Sequence, residues 1–197
     1  VAEESENADT PVEFARARDA IRSATVRDEL RVTEIPAPGS LAPYAIAFAA
    51  DVGDVGHEDD SPDGTGRFVL LYDPEQPEAW DGPYRVVCFA QAPLETEIGI
   101  DPFIADVTWS WLIDALGSRG AQYAHPSGTA TKIISSGFGE LGGEPDGAQI
   151  ELRASWSPLT ADVGSQFEAW GELLCMLAGL PPSSEGVTVL RRKGPRA

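Results

Sequence analysis

The stretch HEDDSPDG at residues 57–64 brings one histidine, four carboxylates and a glycine into eight positions, the densest set of potential cation ligands in the chain. Read as a calcium loop from Asp59, it offers Asp59, Ser61 and Asp63 at positions one, three and five, and Gly64 at the turn. Position twelve then falls on Leu70, where a bidentate glutamate is required, and the following residues are strand-like where a helix is needed. For softer ions there is one imidazole and no second histidine or cysteine nearby. The reading adopted is a solvated acidic loop between two strands, with no metal site assigned.

Other chemistry-bearing patterns are similarly incomplete. Gly137, Gly139 and Gly142 in GFGELG match G-x-G-x-x-G, but Gly143, Pro145, Asp146 and Gly147 follow where a phosphate-binding helix must begin, so a glycine-rich hairpin turn is expected and no cofactor is assigned. His125 and Ser127 lie two apart in YAHPSG, which reads as a Pro-Gly turn, with no nucleophile elbow in the chain. Glu95, Glu97, Asp101, Asp106 and Asp114 could hide a carboxylate pair for general acid and base work. A chain with 32 acids produces such pairs freely, and no catalytic residue is assigned.

Charge narrows the partners. The 197 residues carry a net charge of −18, and residues 32–190 hold 24 acids against five Arg and Lys, while residues 191–197 hold four basic groups. Such a body repels phosphate backbones and favours basic protein partners, leaving nucleic acid only the basic tail. Cys88 and Cys175 sit in the apolar runs RVVCFA and ELLCMLAG, as buried thiols without paired spacing, which suits a reducing cytoplasm. No apolar run approaches the length of a membrane helix, and VAEESENADT has no secretory character, so a soluble cytoplasmic protein is expected.

The elements that must position these residues are well punctuated. Residues 1–9 are expected to be disordered, residues 10–190 to form a single α+β domain, and residues 191–197 a basic tail. A first helix opens with Thr10 as cap, Pro11, and Glu13 completing a capping box, and presents Val12, Phe14, Ala17, Ile21 and Ala24. LRVTEI (30–35) is a possible strand; YAIAFAADV (44–52), GRFVLLYD (66–73) and YRVVCFAQA (84–92) are expected strands. A second helix is capped by Asp101 and runs to Leu116; TATKIISSGF (129–138) and AQIELRASW (148–156) form a hairpin. A third helix starts near Thr160 or Asp162 and ends at Gly179, and VTVLRR (187–192) could add an edge strand. Pro93-Leu94 and Pro158-Leu159, each between a hairpin and a helix, suggest a duplicated β-β-α unit at an offset of 65.

The two later helices differ in pattern. Val163, Phe167, Trp170, Leu173, Leu174 and Leu177 share one face of the third helix with Glu168 and Glu172 opposite, which predicts one-sided packing. On the second, Ile104, Trp109, Trp111, Leu112, Ile113, Ala115 and Leu116 surround most of the circumference, leaving only Asp106, Ser110 and Asp114 polar. A helix apolar on two sides must be covered on two sides, by its own domain or by a partner chain, and Ile104, Trp109, Trp111, Leu112, Ile113 and Leu116 are the interface candidates.

In element order the chain resembles type III secretion chaperones, which implies an antiparallel sheet covered by three helices in the order α-β-β-β-α-β-β-α, a helix-mediated dimer and binding of extended partner segments. In sequence, FARARDAIRSATVRDELRVTEIPAP, LAPYAIAFAADV and GRFVLLYDPEQPEAWDGPYRVVCFAQAPLE are similar to an actinobacterial family designated domain of unknown function three thousand, which has no assigned catalytic residues to carry over. Together these features predict a non-catalytic, acidic, protein-binding or chaperone-like protein, with a homodimer as the expected assembly. An enzyme using carboxylates near residues 95–114 and an accessory factor in RNA metabolism are the alternatives.

Overall fold

The computed structural model describes residues 10–53, 63–143 and 146–183. The expected strand at 187–192, the tail, residues 1–9 and most of the acidic loop, including His57, Asp59 and Ser61, lie outside the described residues. The element order is α1 (Val12–Arg22), β1 (Leu30–Ile35), β2 (Tyr44–Val52), β3 (Gly64–Tyr72), β4 (Tyr84–Leu94), α2 (Thr96–Gly99), α3 (Ile104–Ser118), β5 (Tyr123–Ser135), β6 (Gly147–Pro158) and α4 (Gly164–Leu177). The strands form one six-stranded sheet in the order β1-β2-β3-β4-β6-β5, antiparallel throughout. The architecture is therefore α+β, with the possible strand at 30–35 realised as an edge.

Alternation along the strands sorts the sheet into two faces. Phe48, Phe68, Leu70, Val86, Cys88, Ile150, Leu152 and Trp156 point into a core shared with α1, α3 and α4. The other face bears Arg67, Val87, Phe89, Arg153 and Ser155 and has no helical layer among the described residues. At the centre of the core, Phe167 and Trp170 of α4 meet Phe48 and Phe68 with ring centroids 5.0 to 5.6 Å apart. Gly66 makes this approach possible, since a Cβ there would lie 2.7 Å from Leu174 Cδ2.

Both long helices stop the same way. The N–H of Ala121 reaches Leu116 O at 2.9 Å and that of Gly120 reaches Gly117 O at 3.0 Å; Leu180 and Gly179 do the same to Cys175 and Met176. These are Schellman closures, with Gly120 and Gly179 at the left-handed position (φ +65° and +82°).

Several local expectations are corrected. Helix α1 has Pro11 as its N-cap, one residue after the expected cap Thr10. Asp101 is not the cap of α3: its Oδ1 accepts from Phe103 N at 2.8 Å, closing a turn two residues early, and Phe103 takes the cap position. The YAHPSG segment is no turn but the start of β5, where an irregularity between Ala124 and Ser127 and a left-handed His125 (φ +51°) absorb the proline. An edge strand has one unpaired side, which is why proline is tolerated there.

The two β-β-α units are both present, and their second strands, β4 and β6, pair at the middle of the sheet. The Pro-Leu correspondence does not survive. An odd offset of 65 maps an outward position onto an inward one, because side chains alternate with period two.

The largest correction concerns which helix is enclosed. Twelve of the fourteen residues of α4 are buried, Glu172 included, because α4 lies between the sheet on one side and α1 and α3 on the other. Helix α3 is the peripheral one: Ile104, Thr108, Leu112, Ala115 and Leu116 are buried, while Trp109, Trp111 and Ile113 are half-buried. The polar stripe of α4 is enclosed since its charges find partners far away in sequence.

Candidate functional site

Those partners are arginines. Arg119, one residue past α3, donates to Glu168 Oε2 at 3.3 Å and to Glu172 Oε2 at 3.0 Å. Arg27 donates to the other oxygen of Glu172 at 3.4 Å and to Glu29 at 2.7 Å. Ser183 donates its backbone N–H to Glu172 Oε1 at 2.6 Å and its hydroxyl to Oε2, and Thr25 N donates to Glu168 at 2.9 Å. The Glu172 side chain is only 5% exposed. Burial is the largest single influence on its carboxyl and pushes the pKa up; the two Ser183 hydrogen bonds, Arg119 and Arg27 together outweigh it and hold the group below the usual glutamate value.

A cleft of about 440 Å³ adjoins this network, lined by Trp111, Asp114, Ser118, Arg119, Met176 and Pro182 among others. Arg119 and Glu172 in its wall neutralise each other and Ser118 donates to Ala115 O, which leaves the exposed Asp114 as the one candidate carboxylate in the lining. The remaining candidate carboxylates Glu95, Glu97, Asp101 and Asp106 are exposed and lie outside it.

Other predicted residues fall as follows. His125 Nε2 lies 3.2 Å from Asp81 Oδ2, whereas Ser127 Oγ faces Ser155 Oγ at 3.3 Å and Arg85; imidazole and hydroxyl are not hydrogen-bonded to each other. Cys88 and Cys175 are free and buried; burial pushes their pKa values up to about 12 and about 11, so both are poor nucleophiles. GFGELG carries a 3-10 turn at Gly139–Leu141 within the β5–β6 connection. Among the described residues, no group of three His, Cys, Asp or Glu side chains could hold a metal ion, and no helix is long and apolar enough to cross a membrane. Of the six interface candidates, Ile104, Leu112 and Leu116 are buried by their own chain, and Trp109, Trp111 and Ile113 keep partial exposure.

Sequence reasoning missed the more exposed feature, at one end of the sheet. Twelve large hydrophobic residues are exposed among the described residues, and eight of them fall between 98 and 141: Ile98, Ile100, Phe103, Val107, Ile133, Ile134, Phe138 and Leu141. The fold brings their segments together. Gly99 of α2 packs on Ala148, which pairs with Ile134 of β5, and Lys132 Nζ donates to Asp101 O at 2.9 Å. Phe103, 67% exposed, and Phe138, 83% exposed, sit in the connections that flank this contact. Glu95, Glu97, Asp101, Asp106 and Glu140 interleave with these residues, all exposed. Beside them runs the outer edge of β5, unpaired among the described residues and regular from Ser127 to Ser135. The signal in the sequence was the run IGIDPF together with TKII, apolar residues in a turn and on a strand that no core position required.

Among the described residues, an antiparallel sheet with helices on one face only and an apolar, acid-rimmed edge defines an α+β protein. The chain belongs to the family described as Protein of unknown function (DUF3000), whose model matches residues 10–188. No curated protein and no solved structure matches it.

Proposed function

We propose that this protein binds an extended segment of a partner protein by strand addition to β5. The observation that carries the reading is the β5 edge, unpaired among the described residues, running beside Ile98, Ile100, Phe103, Ile134 and Phe138 and flanked by exposed carboxylates. Main-chain groups on the edge supply hydrogen bonds to an incoming strand, and apolar side chains beside it supply affinity. The acidic rim selects a segment that alternates apolar with basic residues, in keeping with the net charge of −18. Pro126 and the irregularity beside it blunt the first part of β5, so pairing is confined to Ser127–Ser135. The carboxylates near residues 95–106 then act as a charged border and not as acids or bases in a reaction. Cytoplasmic location is part of the proposal, supported by two unpaired buried thiols.

A display library of random short peptides panned against the full chain tests this. Enrichment of extended apolar-basic sequences is expected, with affinity that falls as salt rises and is lost in Thr131→Pro. Enrichment that is indifferent to Thr131→Pro overturns the strand-addition reading. Sedimentation as a dimer that Thr131→Pro dissociates assigns the edge to a second copy instead.

A further inference from the structure

The open face of the sheet carries a second feature, independent of β5's outer edge. Residues 32–190 contain five Arg and Lys, and three of them, Arg67, Arg85 and Arg153, stand on this face. Arg153 is committed, with Nε 2.6 Å from Glu151 and its guanidinium 5.5 Å over the Phe89 ring. Arg85 is different. Among the described residues it meets no carboxylate: Nη1 donates to Ser157 Oγ at 3.0 Å and His125 O at 3.3 Å, and Nη2 donates to Ser155 Oγ and, at 3.4 Å, to Ser127 Oγ. Partial burial without a counter-charge lowers its pKa.

The hydrogen-bond census of this cluster is one-sided. Each of the three serine hydroxyls spends a lone pair on Arg85 and keeps its proton to donate. One proton is used between Ser127 and Ser155, 3.3 Å apart. Among the described residues, the other hydroxyl proton of the Ser127–Ser155 pair and the Nε–H of Arg85 meet no acceptor, so the accessible part of the cluster has a positive charge and spare donors. Ser157 is 1% exposed, which fixes one wall of the cluster within the fold. The left-handed backbone of His125 turns its carbonyl to Arg85 and holds the guanidinium in place. On the same face of β4, two and four residues on, Val87 is 38% exposed and Phe89 half-buried, an apolar strip starting next to the arginine.

We propose that Arg85, Ser127 and Ser155, with the guanidinium held in place by the buried Ser157, form a binding site for the phosphate group of a phosphomonoester, whose organic part lies along Val87 towards Phe89. A tetrahedral oxoanion accepts from several donors at once and supplies the missing negative charge. The acidic remainder of the surface keeps polyanions away, so a small ester fits this face better than a nucleic-acid strand.

Titration calorimetry of the full chain with inorganic phosphate, phenyl phosphate and acetate, against sodium chloride at matched ionic strength, is the test. Phenyl phosphate is expected to bind about tenfold more tightly than inorganic phosphate, and acetate not measurably. Arg85→Met and Ser155→Ala are each expected to weaken phenyl phosphate at least about tenfold, with Arg67→Met unchanged and all three variants folded by circular dichroism. Equal affinity for inorganic and phenyl phosphate overturns the ester portion and assigns the free ion. Heats no larger than those of the chloride control, or affinity retained in both Arg85→Met and Ser155→Ala, overturn the site altogether.

Discussion

Glu172 shows how a single residue escapes a reading of the sequence. Its helical pattern marks a solvent-facing carboxylate, and the structure buries it between Arg27 and Arg119, 145 and 53 residues away. The burial of Cys88 and Cys175, by contrast, was legible, because an apolar neighbourhood is local information while a charge partner is not. A buried carboxylate deprived of its charge strands two arginines, so Glu172→Gln is expected to cost about 2 to 4 kcal/mol in denaturant unfolding. The pH dependence has a definite sign. With its folded pKa lowered, Glu172 contributes fully above the ordinary value of 4.5, and the contribution is lost as pH falls through the folded value. Stability measured against pH should therefore drop below that point in the wild type, with a shallower acid limb in Glu172→Gln.

At the scale of elements, the strands were largely read well, while the YAHPSG turn and the hierarchy of helices were not. Strand positions carry their own signature in β-branched runs broken by Gly and Pro, and β2, β3, β4 and β6 lie where the sequence puts them. Which helix is enclosed depends on what surrounds it. Most of the circumference of α3 is apolar because its two flanks meet different neighbours: Trp109 lies over Gly128 of β5, and Trp111 lines the cleft near α4. Helix α4 is more deeply buried although it carries as many acids as α3, since its acids are neutralised in place. The close seat of α4 on the sheet depends on Gly66, with Leu174 and Phe89 O both inside 3.0 Å of an added Cβ. Gly66→Ala is expected to cost about 1 to 3 kcal/mol, read as a lower denaturant midpoint with unchanged slope. The edge character of β5 was invisible, because a hairpin pattern does not say which of its two strands turns inward.

For the whole molecule, the α+β class followed from composition and element order, whereas the arrangement β4 beside β6 did not. That arrangement leaves β5 outermost, and with it the apolar end on which the proposed partner binding rests. Net charge was legible, but its distribution was not: the arginines of the open face are spaced too widely along the chain to register as a cluster.

The order of synthesis adds a last consequence. Strands β1 to β4 form a local meander, complete by Leu94, yet the helix that roofs its greasy side ends at Leu177. A ribosome adding about 5 to 20 residues per second leaves that meander with only α1 against it for several seconds. Nascent chains halted before Gly164 should therefore be captured by trigger-type chaperones or aggregate when released, and those extended beyond Ser183 should resist protease. Protease resistance already present in the shorter chains would mean that the roof is dispensable.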